Sequence, residues 1–183
     1  MKLAIPEHAP AWTFLVCPIA GFIVAGLTFL LGYKERIIMI VRKSSVFPAS
    51  RDAVFEKLQK LETLQTIAKP YATFEPVGSV DPVWSAGSTS AYRFRLFGVI
   101  PFGTHRIRIL RFDPEGISSR EGNEYVPVWN HDISMIPLGD DCTEYTDQVE
   151  IRAGWKTPFI WLWANTFYAH RQRKWIKLLE EKP

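Results

Sequence analysis

The last segment of the chain, residues 158–182, most constrains the fold because it predicts a long amphipathic helix with a cation on its apolar face. At roughly 100° per residue, one side of this helix gathers Ile160, Ala164, Phe167, Trp175 and Leu178. Near the middle of the stripe lies Arg171, whose guanidinium is permanently charged and carries only donors. Because burial of an unpaired cation is costly, we expect the helix to cover a sheet that offers a carboxylate.

The composition indicates one domain of ordinary size with an additional segment. The chain has 183 residues, and its net charge of +3 is too small for the dense basic stripe of a nucleic-acid-binding protein, so no nucleic-acid partner is expected. The two cysteines, Cys17 and Cys142, lie in different segments and form no disulfide framework. No Cys/His cluster has zinc-ligand spacing and no nucleotide-binding loop occurs, so we expect neither a metal nor a cofactor.

An uncharged apolar stretch near the N-terminus, residues 11–33, is long enough to cross a bilayer core. Trp12 and Tyr33 stand where interfacial aromatic residues are common. We therefore predict that residues 1–34 form an N-terminal tail and a retained transmembrane anchor. A cleaved signal peptide is the first alternative, although the basic n-region is poor. A lipoprotein signal at Cys17 is the second, although a bulky valine precedes that cysteine.

Basic residues are more frequent after the apolar stretch than before it. Lys2 precedes the stretch, whereas Lys34, Arg36, Arg42 and Lys43 follow it. The positive-inside rule then places the C-terminal domain in the cytoplasm. The sequence thus predicts a single-pass membrane protein whose domain at residues 35–183 faces the cytoplasm.

The C-terminal domain changes its hydrophobic period along the chain. Residues 37–46 predict a strand, which is followed by a helix capped by Ser50 and a second helix near residues 61–68. The period then becomes two, and turn signals such as Gly98 and Pro101-Phe102-Gly103 separate the strands. These strands are predicted at residues 73–77, 88–97, 104–112, 116–121, 128–136 and 143–151. One strand, two helices, a run of antiparallel strands and a long final helix make an α+β domain.

This order of elements, the opening phrase SSVFPASRDAVFEKLQKLETL and the ending YTDQVEIRAG…FYAHRQRKWIKLL together resemble the START-like helix-grip superfamily (SRPBCC). The phrases are similar to members near its polyketide cyclase/dehydratase-like branch, and the resemblance covers about residues 37–179. It implies a curved antiparallel sheet of six to seven strands that grips the C-terminal helix, with a ligand cavity between them. Members bind lipids, sterols, polyketides, hormones or quinones, and some are enzymes. The apolar N-terminal stretch departs from the plain superfamily pattern.

Strand alternation predicts which side chains face the interior of the domain. The faces richer in apolar residues carry three ionisable groups inward, namely His105, His131 and Asp147. Together with the final helix, these faces supply the candidate ligand-binding residues. They are Tyr92, Phe94, His105, Ile107, Trp129, His131, Tyr145, Asp147, Phe167 and Arg171.

Asp147 is the expected partner of Arg171, because a guanidinium and a carboxylate can pair through two parallel hydrogen bonds. One interpretation is a clasp that only fixes the last helix on the sheet. A second is that these groups, with His131 or Tyr145, form the polar end of a cavity and orient a carbonyl, phenol or carboxylate of a ligand. A third is acid–base catalysis. No Ser/His/Asp arrangement supports the third interpretation, so no catalytic residue is named.

Four arginines, Arg93, Arg95, Arg106 and Arg108, are predicted on the outward faces of two strands joined by GVIPFG. They either pair with Glu144, Glu150 or Asp132, or are solvated, or contact anionic lipid beside the anchor. In the lipid case each basic residue near the surface contributes about 1 kcal/mol. The tip, residues 99–102, then enters the headgroups or gates the cavity; otherwise it folds against the first helices.

The leading hypothesis is a non-catalytic, membrane-tethered protein that holds a hydrophobic or amphipathic small molecule between the sheet and the last helix. A lipid-, isoprenoid- or polyketide-like ligand is expected, by analogy with the superfamily. The first alternative is a cyclase/dehydratase-type enzyme in which His131, Tyr145 and Asp147 transfer protons. The second alternative is a structural or interaction module without a ligand, whose core is filled by its many aromatic residues. The volume left between sheet and helix distinguishes these hypotheses.

Overall fold

The computed structural model describes residues 37–79 and 83–181. The predicted transmembrane anchor, residues 11–33, and the predicted domain boundary after residue 34 lie outside these ranges. Among the helices that the structure describes, none has both the length and the apolar composition required to cross a membrane.

Within the described residues, seven strands and three α-helices follow one another in the predicted α+β order. The helices are α1 (Arg51–Leu58), α2 (Leu61–Ala68) and α3 (Thr157–Glu180), and a 3-10 turn at Gly154–Lys156 leads into α3. The strands are β1 (Met39–Phe47), β2 (Ala72–Pro76), β3 (Thr89–Leu96), β4 (Ile100–Asp113), β5 (Gly116–Gly122), β6 (Val128–Pro137) and β7 (Thr143–Arg152). The prediction of six to seven strands and a long C-terminal helix is confirmed.

All seven strands belong to one sheet with the order β1-β7-β6-β5-β4-β3-β2, and every neighbouring pair is antiparallel. Strands β2 to β7 form a meander of consecutive pairs, whereas β1 pairs with β7 and adds the opposite edge. The sheet alternates between buried and exposed residues, as in Val128–Pro137 of β6. One face therefore belongs to the core, as the period of two predicts.

Local chemistry fixes where the helices begin. The hydroxyl of Ser50 accepts a hydrogen bond from the Ala53 N–H at 3.3 Å, which confirms the predicted cap of α1. At the start of α3, the Thr157 hydroxyl accepts from the Ala153 N–H at 2.9 Å and donates to the Gly154 carbonyl at 2.7 Å. Proline occupies the first turn of α3, where its missing N–H costs no helical hydrogen bond.

The turn between β3 and β4 differs from the predicted one. The sequence placed a turn signal at Pro101-Phe102-Gly103, but β4 begins at Ile100. The chain reverses earlier because Phe97 and Gly98 both adopt positive φ angles, 53° and 74°, and the Val99 N–H donates to the Leu96 carbonyl at 3.2 Å. Two consecutive residues with positive φ are typical of tight hairpin turns. The hairpin is therefore tighter than the GVIPFG stretch suggested.

Helix α3 lies on the inner face of the sheet, and three of the five residues in its predicted stripe are buried while Ile160 and Leu178 are partly buried. Its buried apolar residues include Ala164, Phe167 and Trp175, and Arg171 is buried among them. Trp175 contacts Phe47 of β1 with ring centroids 5.8 Å apart. The indole N–H of Trp129 on β6 donates to the hydroxyl of Tyr168 at 3.2 Å. The last segment therefore covers the sheet, as its apolar face predicts.

Candidate functional site

A cavity of about 280 Å³ lies between the inner face of the sheet, helices α1 and α2, and the first half of α3. Most of its wall is apolar or aromatic, and a few polar groups are concentrated on β4, β5, β6 and α3. The apolar and aromatic lining residues are Leu58, Leu64, Ile67, Phe74, Trp84, Phe94, Leu96, Phe102, Ile107, Ile117, Val126, Trp129, Ile133, Phe159, Ile160, Trp163, Phe167 and Tyr168. The polar ones are Thr63, His105, Ser119, Glu121, Asn123, His131 and Arg171.

The ten candidate ligand-binding residues fall into two groups. Seven border the cavity: Phe94, His105, Ile107, Trp129, His131, Phe167 and Arg171. The other three, Tyr92, Tyr145 and Asp147, are fully buried but are not part of its wall. Tyr145 instead stacks on Phe47 with ring centroids 4.5 Å apart and lies 6.0 Å from the ring of Trp175. Alternation alone identifies inward-facing residues but does not separate the wall of a cavity from the packing behind it.

The expected direct pairing of Arg171 with Asp147 is wrong. Asp147 Oδ1 lies 2.8 Å from His131 Nε2, and Asp147 Oδ2 accepts a hydrogen bond from Gln172 Nε2 at 3.2 Å. Gln172 also donates to the Lys43 carbonyl at 2.7 Å and accepts from the Ser45 hydroxyl at 2.7 Å. Successive helical positions point about 100° apart, so the residue that reaches β7 and β1 is Gln172, and its neighbour Arg171 is directed toward the cavity.

Arg171 is 5% exposed and contributes to the cavity wall. Its guanidinium carbon lies 4.9 Å from the ring centroid of Tyr168 and 5.7 Å from that of Phe167, which are cation–π distances. Its Nε is buried and has no hydrogen-bond partner among the residues that the structure describes. Burial alone would lower the pKa of Arg171, but the charge of Asp147 and the neighbouring acidic groups raise it. The cation is thus stabilised through space, while its Nε has no protein acceptor within the described part of the chain.

A second carboxylate, Glu121 on β5, was missed by the sequence analysis. Glu121 Oε2 lies 2.8 Å from His105 Nε2, and its other oxygen accepts a hydrogen bond from the Ser119 hydroxyl. The sequence contained the signal, because Ser119 and Glu121 follow Ile117 at every second position of β5. All three therefore share the inward face. Strand alternation applied to β5 therefore predicts a carboxylate on the face that lines the cavity.

These groups form a continuous buried polar row across the sheet. His105 contacts Glu121, His131 Nδ1 lies 3.9 Å from Glu121 Oε1, and His131 Nε2 contacts Asp147. Burial opposes ionisation of both acids, yet the hydrogen bonds with His105 and His131 and the nearby positive charges hold the pKa of Glu121 and of Asp147 below their ordinary values. The row therefore carries two carboxylates at neutral pH. Within residues 37–79 and 83–181, no set of three His, Cys, Asp or Glu side chains is arranged to hold a metal ion.

The four outward arginines lie on the exposed face of β3 and β4, as alternation predicts. Two of them, Arg93 and Arg95, have an acidic partner within 4.0 Å among the described residues, and it is not one of the expected acids. Arg93 contacts Glu75 of the neighbouring strand β2 at 3.1 Å, and Arg95 lies 3.7 Å from the same carboxylate. Strand β2 is the neighbour of β3 in the sheet, whereas Glu144 and Glu150 belong to β7, several strands away.

The sequence also matches a known protein family. A family model described as "Domain of unknown function (DUF8410)" matches residues 45–179. The chain belongs to this family. No curated protein matches the sequence. The matched range of the DUF8410 domain begins in β1 and ends in α3, so it includes the whole cavity wall.

Solved structures share the fold of this DUF8410 domain at low sequence identity. The structure of protein CV1439 from Chromobacterium violaceum matches with a TM-score of 0.62 and 16% identity, over 78% of this chain and 98% of that chain. A START superfamily protein from Mycobacterium smegmatis gives 0.61 and 13%, over 77% and 97%. Norcoclaurine synthase from Thalictrum flavum, in complex with dopamine and hydroxybenzaldehyde, gives 0.58 and 15%, over 80% and 90%. The DUF8410 domain therefore has the START-like helix-grip fold, as its sequence resemblance implied.

Proposed function

We propose that this protein binds a hydrophobic or amphipathic small molecule, lipid-, isoprenoid- or polyketide-like, between the sheet and α3. The observation that carries the proposal is the cavity of about 280 Å³, with its largely aromatic and aliphatic wall. Small-molecule sites are typically concave and apolar with a few polar groups that orient the ligand. A structural module with a filled core is less well supported, because the aromatic side chains leave this space open.

One of the similar solved structures supports small-molecule binding by a domain of this fold. The norcoclaurine synthase structure is described as a complex with dopamine and hydroxybenzaldehyde, which are small aromatic molecules. Its fold is shared with this chain, although its identity of 15% does not transfer a substrate. The support is therefore for small-molecule binding by a helix-grip domain, and the ligand class rests on the wall of this cavity.

An enzyme is the second candidate, and one specific observation favours it. His105 and His131 both border the cavity, and each contacts a buried carboxylate, Glu121 or Asp147, at 2.8 Å. A histidine oriented by a carboxylate is a suitable general base. The role first assigned to Tyr145 is not supported, because its ring is packed away from the cavity against Phe47. If this candidate is correct, His131→Gln should abolish turnover of the bound molecule without abolishing its binding.

Membrane attachment is a further part of the proposal. It is supported by the uncharged stretch at residues 11–33 and by an apolar surface near the start of α3, where Trp155, Phe159 and Leu162 are exposed. The outward arginines of β3 and β4 add basic groups that could contact anionic lipid, although Glu75 offsets part of the charge of Arg93 and Arg95. We propose a single-pass protein whose domain faces the cytoplasm.

Native mass spectrometry of the full-length protein, extracted in mild detergent, tests ligand binding. The wild-type chain should retain a small organic molecule that dissociates on activation. Ile107→Trp, which fills the cavity from β4, should lose it, whereas Leu110→Phe on the exposed face of the same strand should keep it. Equal retention by both variants, or no retained molecule in any sample, would contradict the proposal.

Membrane attachment has its own test. Alkaline carbonate should leave the full-length chain in the membrane pellet, and a C-terminal tag should be protected from protease added to intact cells. Release by carbonate would contradict the anchor. Digestion of the tag in intact cells would contradict the cytoplasmic orientation.

A further inference from the structure

Arg171 is the one strongly basic group that borders the cavity within the described residues, and its Nε is left without a protein partner there. The side chain is 5% exposed, and its guanidinium is held by the rings of Tyr168 and Phe167. A buried donor without an acceptor is unfavourable, and more so when the donor is charged. Arg171 also borders an apolar cavity, and this position suggests that a ligand oxygen at the cavity wall supplies an acceptor to the guanidinium.

The nearby acids are not the acceptors of this donor. Asp147 is already bound by His131 and Gln172, and Glu121 is bound by His105 and Ser119. Neither forms an ion pair with Arg171 within 4.0 Å among the described residues. Both nevertheless act on the guanidinium through space, since their charges favour its protonated form. The charge of Arg171 is therefore balanced, while its hydrogen-bonding capacity is not.

The charge count selects the kind of acceptor. Both carboxylates at this end of the cavity, Glu121 and Asp147, have a pKa below the ordinary value, and each is hydrogen-bonded to one histidine. A ligand carboxylate would bring a third negative charge into a buried space, which is costly without another cation. A neutral carbonyl oxygen would satisfy the donor and leave the charge unchanged. Hydrogen bonds to a charged group are stronger than those between neutral groups, so such an oxygen would orient the ligand.

We propose that the ligand of this site is an uncharged, largely apolar molecule whose carbonyl oxygen, from a ketone, ester or quinone, accepts a hydrogen bond from Arg171. The proposal rests on the proposed small-molecule function and specifies its ligand class. The apolar body of the ligand lies against Phe94, Trp163 and Ile107, and the oxygen lies at the α3 wall.

Three naphthalenes with the same ring and nearly the same shape test this inference. Acetylnaphthalene carries the carbonyl, isopropylnaphthalene replaces its oxygen by a methyl group, and naphthoate replaces its methyl group by a charged oxygen. Binding of each radiolabelled compound is measured with the full-length protein in mild detergent. The signal from detergent alone is subtracted as background. The ketone should bind roughly tenfold or more tightly than either analogue, as one charged hydrogen bond predicts.

Two arginine variants on α3 identify the donor. Arg171→Met removes the guanidinium but keeps a long apolar side chain, so it should lower ketone affinity about tenfold and leave isopropylnaphthalene affinity unchanged. Unchanged hydrocarbon binding also reports that the cavity still forms. Arg173→Met is the matched control, because Arg173 is exposed on the same helix, and it should change none of the affinities.

Each contrary result has a distinct meaning. Equal ketone affinity in wild type and Arg171→Met would refute the role of Arg171 while leaving the binding function intact. Tighter binding of naphthoate than of the ketone would refute the uncharged ligand class. Failure of all three compounds to bind the wild-type chain would overturn the binding function itself, and this inference with it.

Discussion

The two halves of α3 contact the same sheet in different ways. In the C-terminal half, Trp175 is fully buried and packs against Phe47 and Tyr145, while the neighbouring Gln172 bonds to the backbone of β1. In the N-terminal half, Trp163 is only partly buried, stacks on Phe167 at 4.9 Å and borders the cavity. The C-terminal half, called the closed half below, therefore closes the core. The N-terminal half, called the open half, leaves a space beneath it.

The boundary between the halves is polar. Arg171 and Gln172 occupy adjacent positions, and one faces the cavity while the other binds Asp147 and β1. A helix-grip domain can thus separate stability from binding along a single helix. Side chains on the closed half should matter mainly for folding, and those on the open half mainly for ligand binding.

The largest expected effect is on the closed half. Trp175→Ala should lower the free energy of unfolding by about 3–5 kcal/mol, because a large and fully enclosed side chain leaves a void. Trp163→Ala is the matched change on the open half and should cost about 1–2 kcal/mol, since its side chain already borders empty space. Chemical denaturation followed by circular dichroism measures both. Equal losses would show that the two halves are packed alike.

The next effect concerns the two acids of the polar row, Asp147 and Glu121, and the pH dependence of stability. The pKa of Asp147 and of Glu121 is lower in the folded protein than in the unfolded chain. Each therefore stabilises the fold fully above its unfolded pKa, and this contribution is lost as the pH falls through the folded value. The free energy of unfolding of the wild type should accordingly fall on acidification below about pH 5.

Two substitutions, Asp147→Asn and Glu121→Gln, separate the contributions of the two acids to the pH dependence of stability. Asp147→Asn should cost about 2 kcal/mol at neutral pH, because His131 and Gln172 lose a charged acceptor, and it should flatten the acid dependence. Glu121→Gln should flatten it too, but as a cavity residue it should also alter ketone binding. Denaturation from pH 7 to pH 3 tests both. An acid slope as steep as that of the wild type in Asp147→Asn would contradict the role of this carboxylate.

Much of the fold could be predicted because its signals are local. The apolar stripe of α3, the Ser50 cap and the period-two strands depend on nearest neighbours along the chain. In the β3–β4 turn the Gly98 signal was correct and the Pro101-Phe102-Gly103 signal was wrong, because Phe97 adopts a positive φ that its residue type does not indicate and the chain reverses before Ile100.

The site was predicted less completely for a geometric reason. Alternation correctly directs His105 and His131 inward, and applied to β5 it also finds Glu121. The partner of Asp147 depends instead on the rotation of α3 about its axis. A rotation of the helix by one residue position, about 100°, decides whether Arg171 or Gln172 faces Asp147. The volume of the cavity depends on side-chain packing across several elements, and no local pattern specifies it.

The smallest expected effect concerns a hydrogen bond that joins the open half of α3 to β1. Trp161 donates its indole N–H to the Ile40 carbonyl of β1 at 2.8 Å in an exposed position. Trp161→Phe removes this hydrogen bond but keeps most of the ring, and it should cost less than about 1 kcal/mol because water can serve the exposed carbonyl. Amide hydrogen exchange should become faster in the first turns of α3 and stay unchanged around Trp175, since local opening need not unfold the closed half. Faster exchange along the entire helix would instead mean that the two halves open together, and their separation into a binding part and a stabilising part would no longer hold.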